Sequence, residues 1–444
     1  MREIWGQDEK IGILLKKQSP DPGFRYKRSQ FVLRFETDGI NCLYNTLTRQ
    51  CVESDFDLSG DAFFSFSQIL NDPGLLKLVE NYYLVPESKD EISFYLGIYK
   101  LMRTFEKKKG IVSYVILPTL GCNARCVYCY ENGRQRISMS GETVDRTIRY
   151  ILETRRQNTE IHFAWFGGEP LVRADVIDDI CIAMKENGID YKSSIITNGS
   201  LINNDIIDKM AVDWRMTSAQ IAMDCAEQEY IARKNYYRYD NTYWRVIENV
   251  EKLAQRGIKV TVRCNYDEKN ADQISVFISD LSSVIRNKDN IGVYFASLDD
   301  FREGPEFFPF MKTSLNSREP IEREGFKSGS DAFLRTFKIY HCMADHQSKS
   351  IAIAPDGRLY PCLHCDPGTS YGDIFHGITR PDILQGYLEV GEVSKKCRDC
   401  PLLPECTPFS KCPNTNYYCK EIRMDSMQRL LKKAVEEQAG NTAE

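Results

Sequence analysis

The feature that most constrains the fold is a regular alternation of short apolar strands and amphipathic helices in the middle of the chain. It begins at Gly110 and ends near Ser297. Six successive β–α steps require parallel strands joined by right-handed crossovers. A doubly wound sheet and a partial barrel both satisfy this pattern, and in either fold the active site lies at the carboxyl ends of the strands. The predicted strands are residues 112–119, 161–167, 193–198, 220–224, 259–265 and 292–297.

Cysteine content is the second constraint, because the 444-residue chain holds 16 cysteines. A disulfide scaffold is typical of short secreted chains, whereas the N-terminal sequence MREIWGQDEK lacks the apolar core of a signal peptide. We therefore expect a cytoplasmic protein whose clustered cysteines bind metal. No apolar run approaches the ~18 residues of a membrane span. The net charge of −5 argues against a basic nucleic-acid-binding surface, so neither a membrane nor a nucleic acid is an expected partner.

Three cysteines lie directly after the first predicted strand in the spacing Cys122-x3-Cys126-x2-Cys129. Three thiolates on one tight loop can hold three irons of a cubane [4Fe–4S] cluster and leave the fourth iron open to a small molecule. A zinc site with a distant fourth ligand is the alternative. Five other cysteines are scattered singly and are expected to be small buried hydrophobic residues: Cys42, Cys51, Cys181, Cys225 and Cys264.

The cysteine loop, with the aromatic Tyr128 before its third cysteine, resembles the cluster-binding loop of the radical S-adenosylmethionine (SAM) enzymes. Gly167-Gly168-Glu169-Pro170, at the end of the second predicted strand, is similar to the segment that meets the methionine amino group of SAM in that family. The resemblance implies a [4Fe–4S] cluster held by Cys122, Cys126 and Cys129. It implies that SAM lies beside this cluster in a pocket formed by Tyr128, Gly167, Gly168, Glu169, Pro170, Thr197, Asn198, Asp224, Arg263 and Asn265.

Two details of that pocket also follow from the resemblance. Arg263 corresponds to a residue suited to the SAM carboxylate. The chain departs from the family at the end of the fourth predicted strand, where relatives often have Ser-Leu-Asp-Gly and this chain has Ala222-Met223-Asp224-Cys225. A lost hydroxyl and an added thiol leave the ribose contacts open.

The C-terminal cysteines have the spacing Cys342-x14-Gly357-x4-Cys362, then Cys397-x2-Cys400-x5-Cys406-x5-Cys412, then Cys419. This spacing resembles the SPASM extension of radical SAM enzymes, which carries two auxiliary iron–sulfur clusters. The spacing departs from the family before Cys412, where five residues stand in place of three. A pair of zinc-ribbon sites is the alternative, because Cys397-x2-Cys400 is also a zinc spacing. The fourth ligand of the inner cluster is either Cys365 or substrate. Carried over by position, the outer cluster has Cys397, Cys400, Cys406 and Cys419, and the inner cluster has Cys342, Cys362 and Cys412.

The N-terminal residues contain two predicted strands, a helix pair broken at Asp72-Pro73-Gly74, a closing strand and a further helix. That order predicts a small winged-helix-like unit. In outline it is similar to the element of ribosomal-peptide maturases that binds a leader peptide by adding a strand to a sheet edge.

Taken together, these patterns predict an α/β protein: a partial (β/α)6 barrel with an N-terminal winged-helix-like unit and a C-terminal Cys-rich iron–sulfur domain. The predicted limits are 1–109 for the recognition unit, 110–300 for the barrel, 301–339 for a connector, and 340–444 for the SPASM-type domain with its final helix.

The resemblance also implies a reaction. A reduced cluster donates one electron to SAM, and the resulting 5′-deoxyadenosyl radical abstracts a hydrogen atom from a ribosomally made precursor peptide. The expected product is a Cys-to-carbon thioether crosslink, with carbon–carbon or carbon–oxygen crosslinking and formylglycine formation as alternatives. Formylglycine formation is disfavoured because sulfatase maturases carry a catalytic Asp directly after the cysteine aligned with Cys362, and this chain has Leu363.

Flavodoxin or ferredoxin is the expected electron donor. A function of a different class, either a non-catalytic iron–sulfur electron carrier or a zinc-stapled peptide-binding module, would explain the C-terminal cysteines. It would not explain the Cys122–Cys129 loop followed by Gly-Gly-Glu-Pro at the next strand end.

Overall fold

The computed structural model describes most of the chain, and the description below is confined to that part. Four predicted auxiliary-cluster ligands lie outside the described residues, namely Cys342, Cys406, Cys412 and Cys419, as does most of the predicted connector. The described residues are 1–56, 58, 60, 62–105, 110–237, 242–298, 318–328, 332–337, 343–345, 349–388, 392–393, 395–405 and 421–441.

The regular elements are numbered in chain order. The strands are β1 Arg2–Trp5, β2 Tyr26–Arg28, β3 Val32–Thr37, β4 Ile40–Asn45, β5 Cys51–Glu53, β6 Phe63–Phe64, β7 Leu84–Pro86, β8 Ser113–Ile116, β9 Ile161–Trp165, β10 Tyr191–Thr197, β11 Met216–Asp224, β12 Lys259–Tyr266, β13 Ile291–Ser297, β14 Ser350–Ile353, β15 Arg358–Tyr360, β16 Gly372–Asp373 and β17 Gly377–Ile378. The α-helices are α1 Glu9–Leu14, α2 Phe66–Asn71, α3 Pro73–Glu80, α4 Glu91–Phe105, α5 Gly141–Thr154, α6 Ala174–Glu186, α7 Asn204–Asp208, α8 Glu227–Lys234, α9 Tyr243–Gln255, α10 Ile274–Val284, α11 Arg318–Arg323, α12 Pro381–Leu388 and α13 Glu421–Asn441.

The chain divides into two compact units, each built from separate stretches of sequence. The larger unit comprises residues 108–329 and 343–388, and the smaller unit comprises residues 1–107, 330–342 and 389–444. Among the described helices, none combines the length and the apolar character that crossing a membrane requires.

A ten-stranded sheet forms the centre of the larger unit, in the order β13-β12-β11-β10-β9-β8-β14-β15-β16-β17. Strands β8 to β13 are parallel and adjacent in chain order, which confirms the six predicted strands. β14 pairs in parallel with β8, and β15 to β17 continue as antiparallel neighbours. Because the order does not reverse between β8 and β13, the sheet is not doubly wound. It has the strand order expected along the wall of a partial barrel.

Local sequence signals set several boundaries in this fold. Strand β9 alternates buried and partly buried residues, the period-two pattern of a strand. Helix α5 begins after Ser140, whose side chain accepts a hydrogen bond from Thr143 N, and α7 begins after Asn203, which accepts from Ile206 N. Such caps satisfy amide groups that have no partner within the helix.

The smaller unit contains two antiparallel sheets, ordered β1-β5-β4-β3 and β6-β2-β7. The two predicted strands, the helix pair, the closing strand and the following helix are present as β3, β4, α2, α3, β7 and α4. Asp72 caps α3 with its side chain and Pro73 occupies the first helical position, which is why the pair breaks there. Strand β1, which pairs with β5, was not predicted.

Candidate active site

The cysteines Cys122, Cys126 and Cys129 lie on the loop that follows the carboxyl end of β8. A turn brings the last two together, since Cys129 N donates to Cys126 O at 3.1 Å. Ala124 N donates to Cys122 Sγ at 3.4 Å. All three thiols are free and partly exposed, so the structure places the predicted donor set on one short loop at the edge of the sheet.

The start of this loop lies against the end of β9 with no room for a side chain between the two backbones. Gly168 N donates to Thr119 O at 3.0 Å and Glu169 N donates to Gly121 O at 2.9 Å. Gly167 has φ +126°, and a Cβ built on it would lie 2.2 Å from Thr119 O. A Cβ on Gly168 would lie 2.4 Å from Gly121 O. The close approach explains why both positions are glycine.

Glu169 is 1 % exposed and joins the end of β9 to the end of β10. Its carboxylate accepts hydrogen bonds from Thr197 Oγ1 at 2.7 Å, Asn198 N at 2.8 Å and Leu171 N at 3.1 Å. Burial raises the pKa of this carboxyl group, and the three donors oppose the rise. Pro170, also buried, begins the short 3-10 helix Pro170–Arg173.

Asn198 continues this network to the cysteine loop. Its Nδ2 lies 2.9 Å from Asn123 Oδ1 and 3.9 Å from Cys122 Sγ. Asn123 Nδ2 in turn donates to Ser200 Oγ at 2.8 Å. Hydrogen bonds to sulfur are one way in which proteins adjust iron–sulfur centres, and Asn198 is placed to supply one.

Tyr128 connects the cysteine loop to the ends of the next two strands. Its hydroxyl donates to Asp224 Oδ2 at 2.8 Å and accepts from Asn265 Nδ2 at 3.2 Å. Arg263 Nε donates to Asn265 Oδ1 at 3.0 Å. The structure therefore brings these four residues, predicted from separate sequence segments, into one hydrogen-bonded chain.

Helix α8 was not predicted, and it supplies two residues that sequence reasoning missed. Lys234 O accepts from Arg125 N at 2.9 Å and Arg233 O accepts from Val127 N at 3.1 Å, so the end of this helix holds the loop backbone. The sequence did carry a signal: α8 has acidic residues in its first turn and basic residues in its last, as helices favour. Asn235 ends it in the left-handed conformation.

The cysteine loop also contacts the Cys362–Cys365 turn within the same unit. Cys365 N donates to Cys362 O at 3.1 Å. Arg134 donates to His364 O at 2.7 Å and lies 3.4 Å from Asp366 Oδ1. The structure thus brings these two predicted ligands next to the loop of the first cysteine group.

Cys397 and Cys400 belong to the smaller unit and form a similar turn, with Cys400 N donating to Cys397 O at 3.2 Å. The antiparallel hairpin of β4 and β5, called the N-terminal hairpin below, supports the turn, since Thr46 Oγ1 donates to Pro401 O at 2.6 Å. Within the described ranges, no three His, Cys, Asp or Glu side chains converge as ligands of a single metal ion.

Burial raises the pKa of two thiols on the first loop, Cys122 and Cys126, and so favours their protonated forms. Burial, assisted by Glu169, raises the pKa of Cys122 to about 12. Burial also raises the pKa of Cys126, and the Lys234 ammonium opposes that rise. Since thiolates are the metal-binding form, loading this loop with metal must release protons. A soft, three-thiol donor set fits an iron–sulfur cluster.

Residues 116–274 match the family model of the Radical SAM superfamily. The chain contains a radical SAM domain. The matched residues run from the last residue of β8 to the first residue of α10, and they include the cysteine loop and every predicted SAM-pocket residue.

Relatives and solved structures extend the comparison. The chain is 24 % identical over 326 residues to the antilisterial bacteriocin subtilosin biosynthesis protein AlbA of Bacillus subtilis, covering 69 % of this chain and 67 % of that protein. Two other curated relatives are matched over 35 % and 47 % of their own length. The structure of native anSMEcpe with bound AdoMet matches with a TM-score of 0.56 at 15 % identity, over 75 % of this chain and 100 % of that one.

A further solved structure is Streptococcus suis SuiB bound to precursor peptide SuiA. It matches with a TM-score of 0.51 at 14 % identity, over 89 % of this chain and 99 % of that one. At such low identity, both structural likenesses show the fold around the radical SAM domain and nothing more.

The glycine contacts of the radical SAM domain lead to a first prediction. Gly168→Ala is expected to destabilise the protein by about 1–3 kcal/mol, as overpacking does, because the new Cβ would overlap backbone oxygens. Chemical denaturation measures the loss, and iron content after anaerobic reconstitution is expected to fall with it. Gly141→Ala is the matched control, since a Cβ there meets no atom within 4 Å. Equal effects of the two substitutions would contradict the close approach.

Proposed function

We propose that this protein is a radical SAM peptide maturase that abstracts a hydrogen atom from a ribosomally made precursor peptide and installs a Cys-to-carbon thioether crosslink. One observation carries the proposal. The loop of three free cysteines lies at the carboxyl end of a parallel sheet, inside a segment that matches the Radical SAM superfamily. It is joined by hydrogen bonds to Asn198 and, through its own Tyr128, to Asp224.

The cofactors are assigned by the same proposal. Cys122, Cys126 and Cys129 would hold a [4Fe–4S] cluster. SAM would lie against the Gly167–Pro170 segment, Thr197, Asn198, Asp224, Arg263, Asn265 and Tyr128. When bound, the cluster and SAM supply reductive cleavage of the sulfonium bond and hence hydrogen-atom abstraction. The chain's own residues orient these groups: Asn198 donates toward Cys122 Sγ, and the Asp224–Tyr128 hydrogen bond fixes the loop before its third cysteine.

Two auxiliary iron–sulfur clusters are part of the proposal. The outer cluster would be held by Cys397, Cys400, Cys406 and Cys419. The inner cluster would be held by Cys342, Cys362 and Cys412, with Cys365 or a substrate thiolate as the fourth ligand. The two Cys-x2-Cys turns support these sets, because in each turn the second cysteine's amide donates to the first cysteine's carbonyl.

The surroundings of Leu363 favour crosslinking over formylglycine formation. Leu363 packs against an apolar cluster that includes Val115, Leu117 and Ala352, so no base occupies the position where sulfatase maturases carry Asp. The nearby Asp366 is paired with Arg134 at 3.4 Å. Carbon–carbon or carbon–oxygen crosslinking is the second candidate, because it too needs no carboxylate at this position.

The precursor's leader is proposed to bind the smaller unit, at the outer edge of β1. Sheet edges bind peptides by strand addition. The edge of β5 is already paired with β1, and β3 is packed against α13, where Thr37 Oγ1 donates to Glu436 Oε1 at 2.6 Å. Among the described strands, β1 pairs only with β5 and its Arg2 and Glu3 are exposed, which favours its outer edge as the place for an added strand.

Reductive cleavage of SAM distinguishes the enzyme from a non-catalytic electron carrier or a zinc-stapled module. Reconstituted without oxygen and given dithionite and SAM, the protein is expected to release 5′-deoxyadenosine and to hold roughly twelve irons if all three clusters are cubanes. Cys126→Ala is expected to abolish the release, whereas Cys181→Ala, a buried cysteine in α6, retains it. If the protein bound zinc in place of iron, or released no 5′-deoxyadenosine, the proposal that it is a radical SAM enzyme would be wrong.

The bond type is tested with a short Cys-containing peptide encoded beside the gene. After anaerobic incubation with SAM and reductant, we expect a mass loss of two hydrogens per link together with loss of one alkylatable thiol, because a thioether consumes the thiol. Alkylation followed by tandem mass spectrometry measures both. The same mass loss with every thiol still alkylatable would contradict the thioether and favour carbon–carbon or carbon–oxygen bonds.

Leader binding is tested on the intact protein by hydrogen exchange. Adding the same precursor is expected to slow exchange at the backbone amides of β1 that face away from β5, because a strand added to β1 pairs with these outward groups. A core peptide without its leader is the control and is expected to leave these amides unchanged. Protection at other strands but not at β1 would place the leader elsewhere.

A further inference from the structure

Lys234 is a buried lysine to which the proposed reaction assigns no role. It lies in the last turn of α8 and is 2 % exposed. Its Nζ lies 3.5 Å from Asp224 Oδ2 and 5.7 Å from the centre of the Tyr128 ring. Burying an ammonium group is costly unless a partner offsets the lost hydration, and Asp224 with Tyr128 provides that partner.

A second cation, Arg233, lies beside Lys234 but is engaged by other carboxylates. Arg233 pairs with Asp267 through two contacts of 3.1 and 2.6 Å. It also lies 3.5 Å from Asp224 and 3.8 Å from Glu229. The charge of Arg233 is therefore shared among Asp267, Asp224 and Glu229.

The charge of Lys234 extends to the cysteine loop. The Lys234 carbonyl accepts a hydrogen bond from Arg125 N at 2.9 Å and its Nζ lies 5.7 Å from the centre of the Tyr128 ring, so Lys234 contacts the loop on both sides of Cys126. Charges in a buried, low-dielectric region act more strongly than the same charges in water. The ammonium of Lys234 and the carboxylate of Asp224 thus act with opposite signs on any charge that this loop binds.

We propose that Lys234 is a positioning residue whose buried positive charge lies beside the cysteine loop and makes the cluster bound there easier to reduce, with Asp224 opposing it. The assignment rests on the proposed function, since it requires an iron–sulfur cluster on this loop. Net charge near a cluster is one of the properties that set its reduction potential. A fixed positive charge nearby stabilises the reduced cluster, which carries one more electron, and so raises the reduction potential.

The backbone of Lys234 has a separate role that side-chain substitution leaves in place. Its carbonyl accepts from Arg125 N at 2.9 Å whatever the side chain. Lys234→Met keeps a long unbranched chain and removes the charge, whereas Lys234→Arg keeps the charge. Asp224→Asn removes the opposing charge and leaves an amide oxygen for Tyr128.

The test is an equilibrium redox titration of the reconstituted protein without SAM, followed by electron paramagnetic resonance of the reduced cluster. Cys126→Ala supplies the background signal of any other cluster. Relative to the unsubstituted protein, Lys234→Met is expected to shift the midpoint to more negative potential and Asp224→Asn to more positive potential. Lys234→Arg is expected to stay close to the unsubstituted protein. At a fixed potential we expect the reduced-to-oxidised ratio to change about tenfold, which for one electron is about 59 mV.

The outcomes separate this assignment from the proposed function. Unchanged midpoints in variants that hold iron, or equal shifts from Lys234→Met and Lys234→Arg, would overturn the role of the charge and leave the enzyme intact. A protein without substitutions that assembles no cluster would overturn the proposed function and this assignment together. Thermal unfolding of the iron-free variants shows whether Lys234→Met folds. If it does not, an unchanged midpoint in Asp224→Asn would overturn the assignment, because charge at the Lys234–Asp224 pair would then have no effect on the cluster.

Discussion

The close contact between the backbones at the carboxyl ends of β8 and β9 is the constraint on which the rest of the site depends. Gly167 and Gly168 lie so near Thr119 and Gly121 that a Cβ at either position would overlap a carbonyl oxygen. Two backbone hydrogen bonds close the gap. The origin of the cysteine loop is therefore fixed by the sheet itself, and the positions of the three thiols follow from a short, already anchored segment.

Two buried carboxylates then connect that loop to the remaining strands, and they do so by different physical means. Glu169 is surrounded by neutral hydrogen-bond donors from Leu171, Thr197 and Asn198, so its role is to lock strand ends together. Asp224 instead faces Lys234 and Arg233. The neutral donors around Glu169 mainly fix the geometry of the strand ends. The cations around Asp224 also place positive charge near the cysteine loop.

The six parallel strands and the glycine-rich turn could be predicted from sequence because their signals are local: apolar runs of strand length, and a motif at a strand end. Tyr128, Asp224 and Asn265 were predicted as pocket residues, but their mutual hydrogen bonds were not, since only the sheet brings them together. Helix α8 is eight residues long and lies within a polar segment, where hydrophobic periodicity is a weak signal. The carbonyl groups with which it holds the cysteine loop come into place only in the fold, and the sequence does not reveal them.

Contacts in the smaller unit are still harder to predict from sequence, because they join segments that are far apart in the chain. Arg49 is fully buried and pairs with Glu405, while its guanidinium also donates to Pro404 O at 3.2 Å and to Tyr44 Oη at 3.3 Å. Removing one partner of a buried ion pair is strongly destabilising, since the remaining charge loses its compensation. The N-terminal hairpin and the segment that carries Cys397 and Cys400 must therefore fold together. Deleting the hairpin to remove a peptide-binding edge would also leave Glu405 without its buried partner Arg49. The effect on peptide binding can therefore be measured apart from the effect on the C-terminal cysteines only with substitutions that leave Arg49 in place.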